Sequence, residues 1–556
     1  SMSDELAIAG PGWPDRYHLS HSRANLMRAF ELPPAARVLE VGAGCGAITR
    51  LLGERCAVVD ALAPELMRAR VIRERTSDLG SVEVFVGSLE DVPHTAAYDL
   101  VAVIGVLEYS AGGSLDDAPY IGFLHSLRSL LTDGGTAIIA IENQLGVKYL
   151  AGAPEDHTGN LYEGVEGYRR SAHARTFSPA ELHRLMQRAG FEATMYGAFP
   201  DYKFTRAVFS DALFDQHPEL AWRIASHATG GFEEVPPGVN ERAVWRELVE
   251  AGIGQHFSNS LVAVASSGEA NNVVWPEDRL AMYFQPGRRA GFATVTEVQR
   301  TEPVRFRRTH LTAPQSNEMQ PLHQVHDEEL VEGTDLLELL ERAPDQRFDA
   351  LLREYAALVR SLPQPPLDLI PSNVVVDAAG TMHAIDSEWV HSGYGADDVL
   401  ARAAVTAGIT LAGTTPPSRW PLQTVGDLVR RIGAVLLPTA GDDWLDAAIE
   451  REAVLQETVF LPPGVVSASL TAAQLHRDRL RRWLELPLRE LPLGDRAIDR
   501  LATAEAHTAL LAAEQVGLRA QLDQVQTQLH AIVTSRSWRL AESLRRGLRR
   551  TRRPRG

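Results

Sequence analysis

The chain has 556 residues, 45% hydrophobic and 23% charged, with a formal net charge of −17. That length exceeds one hydrophobic core and implies several domains, and the acid excess disfavours general nucleic-acid binding by the body of the chain. Two cysteines, Cys45 and Cys56, supply neither a metal cluster nor a disulfide framework, which fits a reducing compartment; no signal peptide or long apolar run is visible.

The opening Ser1-Met2 reads as an expression scar. Tyr17-His18-Leu19-Ser20 leads into a helix expected over Arg23–Phe30, ended by Pro33-Pro34. The stretch Val38-Leu39-Glu40-Val41-Gly42-Ala43-Gly44-Cys45-Gly46 then organises the front of the chain. It predicts a buried strand at 37–41, a tight glycine turn and a helix over Ala47–Leu52. A backbone without Cβ atoms can pass close to a nucleoside at such a turn. A second strand is expected at Ala57–Ala61, with Asp60 as the available carboxylate for the two ribose hydroxyls. Further strands are expected at Val82–Val86, Asp99–Ile104 and Ala137–Ile141, with a helix at Phe123–Leu131 before the Asp133-Gly134-Gly135 turn. Alternating strands and helices imply a mostly parallel sheet whose ligands lie beyond the carboxyl ends of the strands.

Over roughly residues 17–210 the chain resembles class I S-adenosylmethionine-dependent methyltransferases, an α/β Rossmann-like family. The resemblance rests on the glycine turn, Gly87-Ser88-Leu89-Glu90 after the third strand and Gly105-Val106-Leu107-Glu108 after the fourth. It implies that Glu40, Gly42 and Gly44 contact the methionine part and that Ser88 and Leu89 lie near the adenine. Tyr17, Gly46, Gly105 and Leu107 complete the expected cofactor set. The family's ribose acid falls closest to Ala63, which leaves Asp60 as a substitute, and its usual Asp before the adenine contact is Ser88 here.

After the fifth strand, Glu142 to Tyr149, Gly152 to His157 and Tyr162 to Tyr168 form polar loops. Their wording is similar to methyltransferases that accompany sugar-transfer and cell-surface polysaccharide enzymes. Methyl transfer to a hydroxyl needs a base within hydrogen-bond reach. His157 is the candidate base, with Asp156 or Glu142 to orient it or to bind sugar hydroxyls; a purely loop-pinning His157 is the alternative. Arg175 and Lys203 are rim residues, for a phosphate or for surface ion pairs. Amphipathic segments at Pro218–Ala228 and Asn240–Ala251 close this half, and a strand at Leu261–Ala265 is expected at the sheet edge. Ser266-Ser267-Gly268 marks a linker, so the first domain is set at 1–265.

A second domain is expected at 270–440. Leu280–Phe284, Phe292–Gln299 and Val304–Thr309 alternate like antiparallel strands, with Gly287 and Gly291 between the first two. Asp327–Thr334 reads as a hinge, with helices starting at Leu336 and spanning Asp349–Leu362. Asp368-Leu369-Ile370-Pro371-Ser372-Asn373, a hairpin through Gly380, and Ile385-Asp386-Ser387-Glu388-Trp389 follow. The hairpin can bring Asp368, Asn373 and Asp386 together, as proton acceptor and Mg²⁺ ligands against ATP phosphates. This pattern resembles kinases of the aminoglycoside and choline phosphotransferase type, which implies Asp368 as base and Asn373 and Asp386 as metal ligands. Pro366 replaces the family's histidine, no clear glycine-rich phosphate loop is present, and no lysine lies in the third strand, so Arg305 or Arg307 is the substitute cation. Two readings stand: an active kinase, or a kinase-like fold kept as a scaffold or sugar-binding module.

Helices are expected at Leu422–Val435, Asp442–Phe460 and Ala468–Leu484 in a helical region to residue 500. Leu511, Leu518, Val525 and Ile532 recur every seven residues, with Leu522 and Leu529 at the alternate position and Gln515 breaking the seam. This spacing predicts a coiled coil at 501–535 and a homo-oligomer; a long helix packed on its own body is the alternative. From Arg536 to Arg555 nine arginines face one acid, Glu542, leaving −25 on the rest. Trp538, Leu540, Leu544 and Leu548 make this tail amphipathic, suited to an anionic membrane surface. The Ser-Arg-Ser-Trp-Arg-Leu stretch resembles tails of bacterial glycosyltransferases.

The full layout resembles bifunctional methyltransferase/kinases that cap O-antigen chains. It implies methylation of a saccharide or lipid-linked polysaccharide precursor with S-adenosylmethionine, phosphorylation with ATP and Mg²⁺, and a cytoplasmic protein at the inner face of the membrane. A methyltransferase with an inactive second domain, and a scaffold for glycosyltransferases, are the alternatives.

Overall fold

A computed structural model describes residues 17–169, 173–228, 241–266, 273–285, 288–312, 325–415, 419–460 and 471–488, with Met2, Gly268, Leu322 and His323. The chain forms two compact units, Ser1–Ile498 and Asp499–Gly556. The second unit, with the expected coiled coil and basic tail, lies outside the described residues, as does Gly287.

Strands β1 (Arg37–Val41), β2 (Val58–Ala63), β3 (Val82–Val86), β4 (Tyr98–Ile104) and β5 (Leu131–Glu142) pair side by side and parallel in the order 3-2-1-4-5. Side chains alternate across this sheet. Val38, Leu100 and Ile138 enter one core with Leu26, Met27, Leu51 and Leu52. Leu39, Val101 and Ile139 enter the core on the other face with Tyr120, Leu124 and Phe177. Each such buried aliphatic side chain contributes about 1.5–3 kcal/mol relative to exposure. Helices Ala47–Arg55 and Ala118–Leu130 link the strands. A further helix, Leu66–Arg75, fills the β2–β3 connection; only Ala69 and Ile72 of it are buried, so its sequence carries almost no apolar periodicity.

β6 (Glu192–Phe199), β7 (Ala207–Ser210) and β8 (Ser260–Ser266) extend the sheet. The expected edge strand at 261–265 is an interior one: β8 lies antiparallel between β5 and β6. Six parallel strands, β1 to β6, with antiparallel β8 inserted between β5 and β6, define a Rossmann-like class I methyltransferase fold for the N-terminal part. The insertion between β7 and β8 carries helices Asp211–Gln216, Pro218–Ala228 and Glu241–Glu250. They close over a third core in which fully buried Trp245 meets Phe199 edge-on at 4.9 Å.

The sheet continues past residue 265. β9 (Arg279–Phe284) pairs antiparallel with β7, then β10 (Thr294–Gln299) and β11 (Arg305–His310) follow, with β13 (Glu328–Glu329) at the edge. The three expected antiparallel strands therefore add to the first sheet, which reaches twelve strands. The short β12 (Leu322–His323) pairs with β17 (Trp389–Val390), and β14 (Thr334–Asp335), β15 (Val374–Val376) and β16 (Met382–Ala384) form a small separate sheet. Helices Leu336–Arg342, Asp345–Ser361, Ala396–Thr414, Val425–Leu436, Trp444–Val459 and Ala472–Glu485 complete this half. Among the described residues no helix is long and apolar enough to cross a membrane.

Candidate active site

Parallel pairing places the carboxyl ends of β1, β2, β3, β4 and β5 on one edge of the sheet, where such folds bind ligands. Gly42 follows β1 with φ +75°, and a Cβ there would lie 2.5 Å from Val106 Cγ2. Only glycine permits that approach between the β1 and β4 turns. Gly44 has φ +57° and nothing within 4 Å of where a Cβ would stand, so the turn faces open space at that point. Gly46, at φ +84°, starts helix Ala47–Arg55. Glu40 is buried one residue before the end of β1 and accepts from the Thr49 hydroxyl at 2.6 Å. Burial pushes its carboxyl up to about 7, against the Thr49 bond and the Arg23 charge.

Tyr17 lies under the Arg23 guanidinium at 4.2 Å, and Arg23 donates to the Lys203 carbonyl at 3.0 Å. Ser88 closes a capping box with Asp91, whose carboxylate accepts from Ser88 N–H at 2.8 Å. Leu89 and Leu107 pack in the core beneath their turns, and Gly105 sits against the Tyr202 ring.

Asp60 is placed differently from its expected ribose role. β2 runs on to Ala63, so Asp60 lies in mid-strand, opposite Leu39. Its carboxylate is buried and accepts from Arg37 at 2.7 Å and Tyr98 at 2.9 Å. It is a structural ion pair inside the sheet. Glu65, beyond the end of β2, is exposed and pairs with Arg68 at 3.3 Å.

Beyond β4 and β5 the structure gathers a buried polar cluster. Glu142 ends β5, fully buried, and takes an ion pair from Lys203 on Oε1. His157 Nε2 lies 3.7 Å from Glu142 Oε2, and its Nδ1 meets the Tyr109 hydroxyl at 2.8 Å. Glu108, fully buried after β4, meets the Tyr202 hydroxyl at 3.4 Å. Asp156 pairs with Lys148 and accepts from Tyr149 at 2.8 Å, and Lys203 stands 3.6 Å from it. Glu142 and His157, read from the sequence as partners, lie in one place, with 3.7 Å between Oε2 and Nε2. Asp156 is engaged by Lys148 rather than by His157. Lys203 is buried inside this cluster, with neither a phosphate-ready rim position nor a surface ion pair. Arg175 pairs with Asp117 at 3.2 Å and covers the Phe177 ring at 4.8 Å, a structural role.

The electrostatics follow from burial among charges. Burial pushes the Glu108 carboxyl up to about 8, aided by the neighbouring Glu142. For Glu142 burial is outweighed by Lys203 and His157, which hold it below the ordinary carboxylate range. Burial is likewise outweighed for Asp156, held low by Lys148 and Lys203, and for His157, raised by Glu142. The arrangement keeps one carboxylate charged and one protonated beside an imidazole, which suits proton transfer.

In the second half, Asp368, Asn373 and Asp386 do come together. Asn373 Nδ2 donates to the Asp368 carbonyl at 2.9 Å, and the Asp368 carboxylate accepts from the N–H groups of Glu388 at 2.7 Å and Trp389 at 3.2 Å. Burial pushes the Asp368 carboxyl up to about 7, helped by Asp386. The facing cation is Arg308, which pairs with Asp386 and reaches Glu388 at 2.9 Å. Arg305 and Arg307 point to solvent from the same strand. Strand alternation explains the difference: 305 and 307 share one face and 308 the other.

Residues 16–195 match the family described as a methyltransferase domain. No curated protein matches the chain. Solved structures similar to this chain include an S-adenosylmethionine-dependent methyltransferase from Thermotoga maritima, described as a possible histamine N-methyltransferase. It is 19% identical over 46% of this chain and 91% of its own, with a TM-score of 0.26. A putative methyltransferase from Bacillus halodurans is 18% identical over 44% and 98%, with a TM-score of 0.27. An S-adenosylmethionine-dependent methyltransferase from Mesorhizobium loti is 15% identical over 45% and 99%, with a TM-score of 0.28.

The front of the chain is thus a class I S-adenosylmethionine-dependent methyltransferase domain. The protein is an enzyme, a methyltransferase that takes its methyl group from S-adenosylmethionine.

Proposed function

We propose that this protein methylates a hydroxyl of a saccharide or lipid-linked polysaccharide precursor. The observation that carries the reading is the buried Glu108–Glu142–His157–Lys203 cluster beside the open glycine turn. S-adenosylmethionine supplies a methyl group activated on a sulfonium. Glu40, Gly42 and Gly44 hold its methionine part, with Tyr17, Gly46, Ser88, Leu89, Gly105 and Leu107 around the rest. His157 Nε2 takes the hydroxyl proton as the methyl group passes to oxygen, and Glu142 stabilises the imidazolium. Half-exposed Tyr109 and Tyr162 near the His157 loop offer apolar faces with polar tips, and Leu161 a purely apolar one, which suit sugar rings.

For the second half, the Arg308 pairs with Asp386 and Glu388 favour a kinase-like scaffold without phosphate transfer. A guanidinium occupies the place that Mg²⁺ and ATP would need, and Asp368 is capped by two backbone N–H groups. In this reading the scaffold binds saccharide, copies pair through 501–535, and the arginine-rich tail docks on an anionic membrane at its cytoplasmic face, beside glycosyltransferases.

The test is mass spectrometry of candidate saccharide acceptors incubated with S-adenosylmethionine and with MgATP. A gain of one methyl group and no phosphate is expected. A phosphate gain that vanishes in Asp368→Ala overturns the reading of the second half, and no methyl gain on any saccharide overturns the acceptor class.

A further inference from the structure

Three buried polar atoms in the cluster are left without a hydrogen-bond partner, and they converge. Glu108 Oε2, Glu142 Oε2 and His157 Nε2 are all orphaned. One ligand atom from each lies within 4.8 Å of the others. Their remaining atoms are engaged, Glu142 Oε1 by Lys203, Glu108 Oε1 by Tyr202 and His157 Nδ1 by Tyr109. The 3.7 Å between His157 and Glu142 is too long for a hydrogen bond. A buried polar group left unpaired keeps an uncompensated desolvation penalty, so three aimed at one point call for an occupant.

We propose that Glu108, Glu142 and His157 bind a divalent cation at the acceptor end of the methyl-transfer site. Two carboxylates and an imidazole suit Mn²⁺, Fe²⁺ or Zn²⁺ better than Ca²⁺. Three protein ligands leave coordination positions open to an acceptor hydroxyl. The ligands stand on the short 3-10 turn Leu107–Tyr109 after β4, on the end of β5 and on the His157 loop. Tyr109 at Nδ1 and Lys203 at Glu142 fix their orientation, as outer partners of metal ligands do. With the cation bound, His157 Nε2 is a ligand and no longer the proton acceptor, so of the reading above this inference keeps the methyl transfer and the acceptor site and replaces the base. The hydroxyl then gives its proton to water, because the metal lowers its pKa, and its oxygen takes the methyl group from the sulfonium, leaving the thioether. This inference rests on the methyl-transfer reading above.

The test uses the full chain, freed of metal by chelator and dialysis. Titration with MnCl₂ is followed by calorimetry and by loss of the free Mn²⁺ resonance. Wild type takes up one Mn²⁺, Zn²⁺ competes for it, and His157→Ala and Glu108→Gln each weaken binding at least about tenfold. S-adenosylhomocysteine is titrated into the same samples. Failure to bind Mn²⁺ while the nucleoside still binds overturns the cation site and leaves the methyltransferase reading standing. Mn²⁺ uptake unchanged in both variants also overturns it. Mn²⁺ uptake lost in the variants, with no nucleoside binding by any sample, supports the cation site and removes the reading it was built on.

Discussion

Binding of S-adenosylmethionine should expel a proton from Glu40. The carboxyl is fully buried on β1, and burial pushes its pKa up to about 7. In the proposed pose its oxygens meet the positively charged methionine end of the cofactor, which requires the carboxylate. At pH 7 about half the unliganded molecules carry the proton, at pH 6 about nine-tenths and at pH 8 about one-tenth. Binding at pH 7 therefore releases about half a proton, and the apparent affinity falls about tenfold from pH 8 to pH 6. Calorimetry at one pH in phosphate and in Tris, which differ in ionisation heat, measures the proton count directly. Glu40→Gln removes the proton release and weakens binding by about 1.5–3 kcal/mol, the worth of a hydrogen bond to a charged group. A binding heat independent of buffer, or an affinity that rises as the pH falls, would refute the reasoning.

Three other outcomes follow from the same geometry. Asp60→Asn breaks the pair with Arg37 and Tyr98 and lowers unfolding stability in urea by about 1–3 kcal/mol; nucleoside affinity stays within about twofold, whereas a ribose ligand would lose far more on substitution. Gly42→Ala sets a Cβ against Val106 at φ +75°, so it lowers the melting temperature and weakens S-adenosylhomocysteine binding together. Asp368 keeps a proton up to about pH 7 when folded, against 3.8 as its ordinary value. Stability is therefore highest below about pH 4 for this group and declines as the pH climbs to about 7, by up to about 4 kcal/mol. Asp368→Asn flattens that part of the pH–stability curve, read by denaturant melts at several pH values.

Local signals were legible because they need few residues. The apolar run into Gly42, Gly44 and Gly46 set strand, turn and helix from nine adjacent positions, and all appear where the sequence put them. His157 and Glu142 were nameable because their chemistry suits the task, although 15 residues separate them in the sequence. Lys203 was harder: it meets Glu142 across 61 positions, and nothing local says that a lysine after Asp201-Tyr202 turns inward. Glu108 was visible only as the end of a motif; its burial beside Glu142 is a consequence of β4 and β5 pairing. Asp60 and Arg308 show how side-chain parity and strand ends mislead. Extending β2 to Ala63 turns an end position into a core one, and a one-residue shift on β11 replaces Arg307 by Arg308. β8 was recognisable as a strand, but an apolar run does not say whether it lies at an edge or between two neighbours.

The most direct test of the whole account is calorimetric titration of the full chain with S-adenosylhomocysteine, beside Gly44→Asp. Gly44 faces open space, and aspartate tolerates its backbone angles better than most residues, so the variant keeps the fold while filling the nucleoside's place. One-to-one binding in the wild type, abolished in a variant that melts normally, is the expected result. No heat from the folded wild-type protein, or unchanged binding in Gly44→Asp, would contradict the assignment of the glycine turn as the cofactor site.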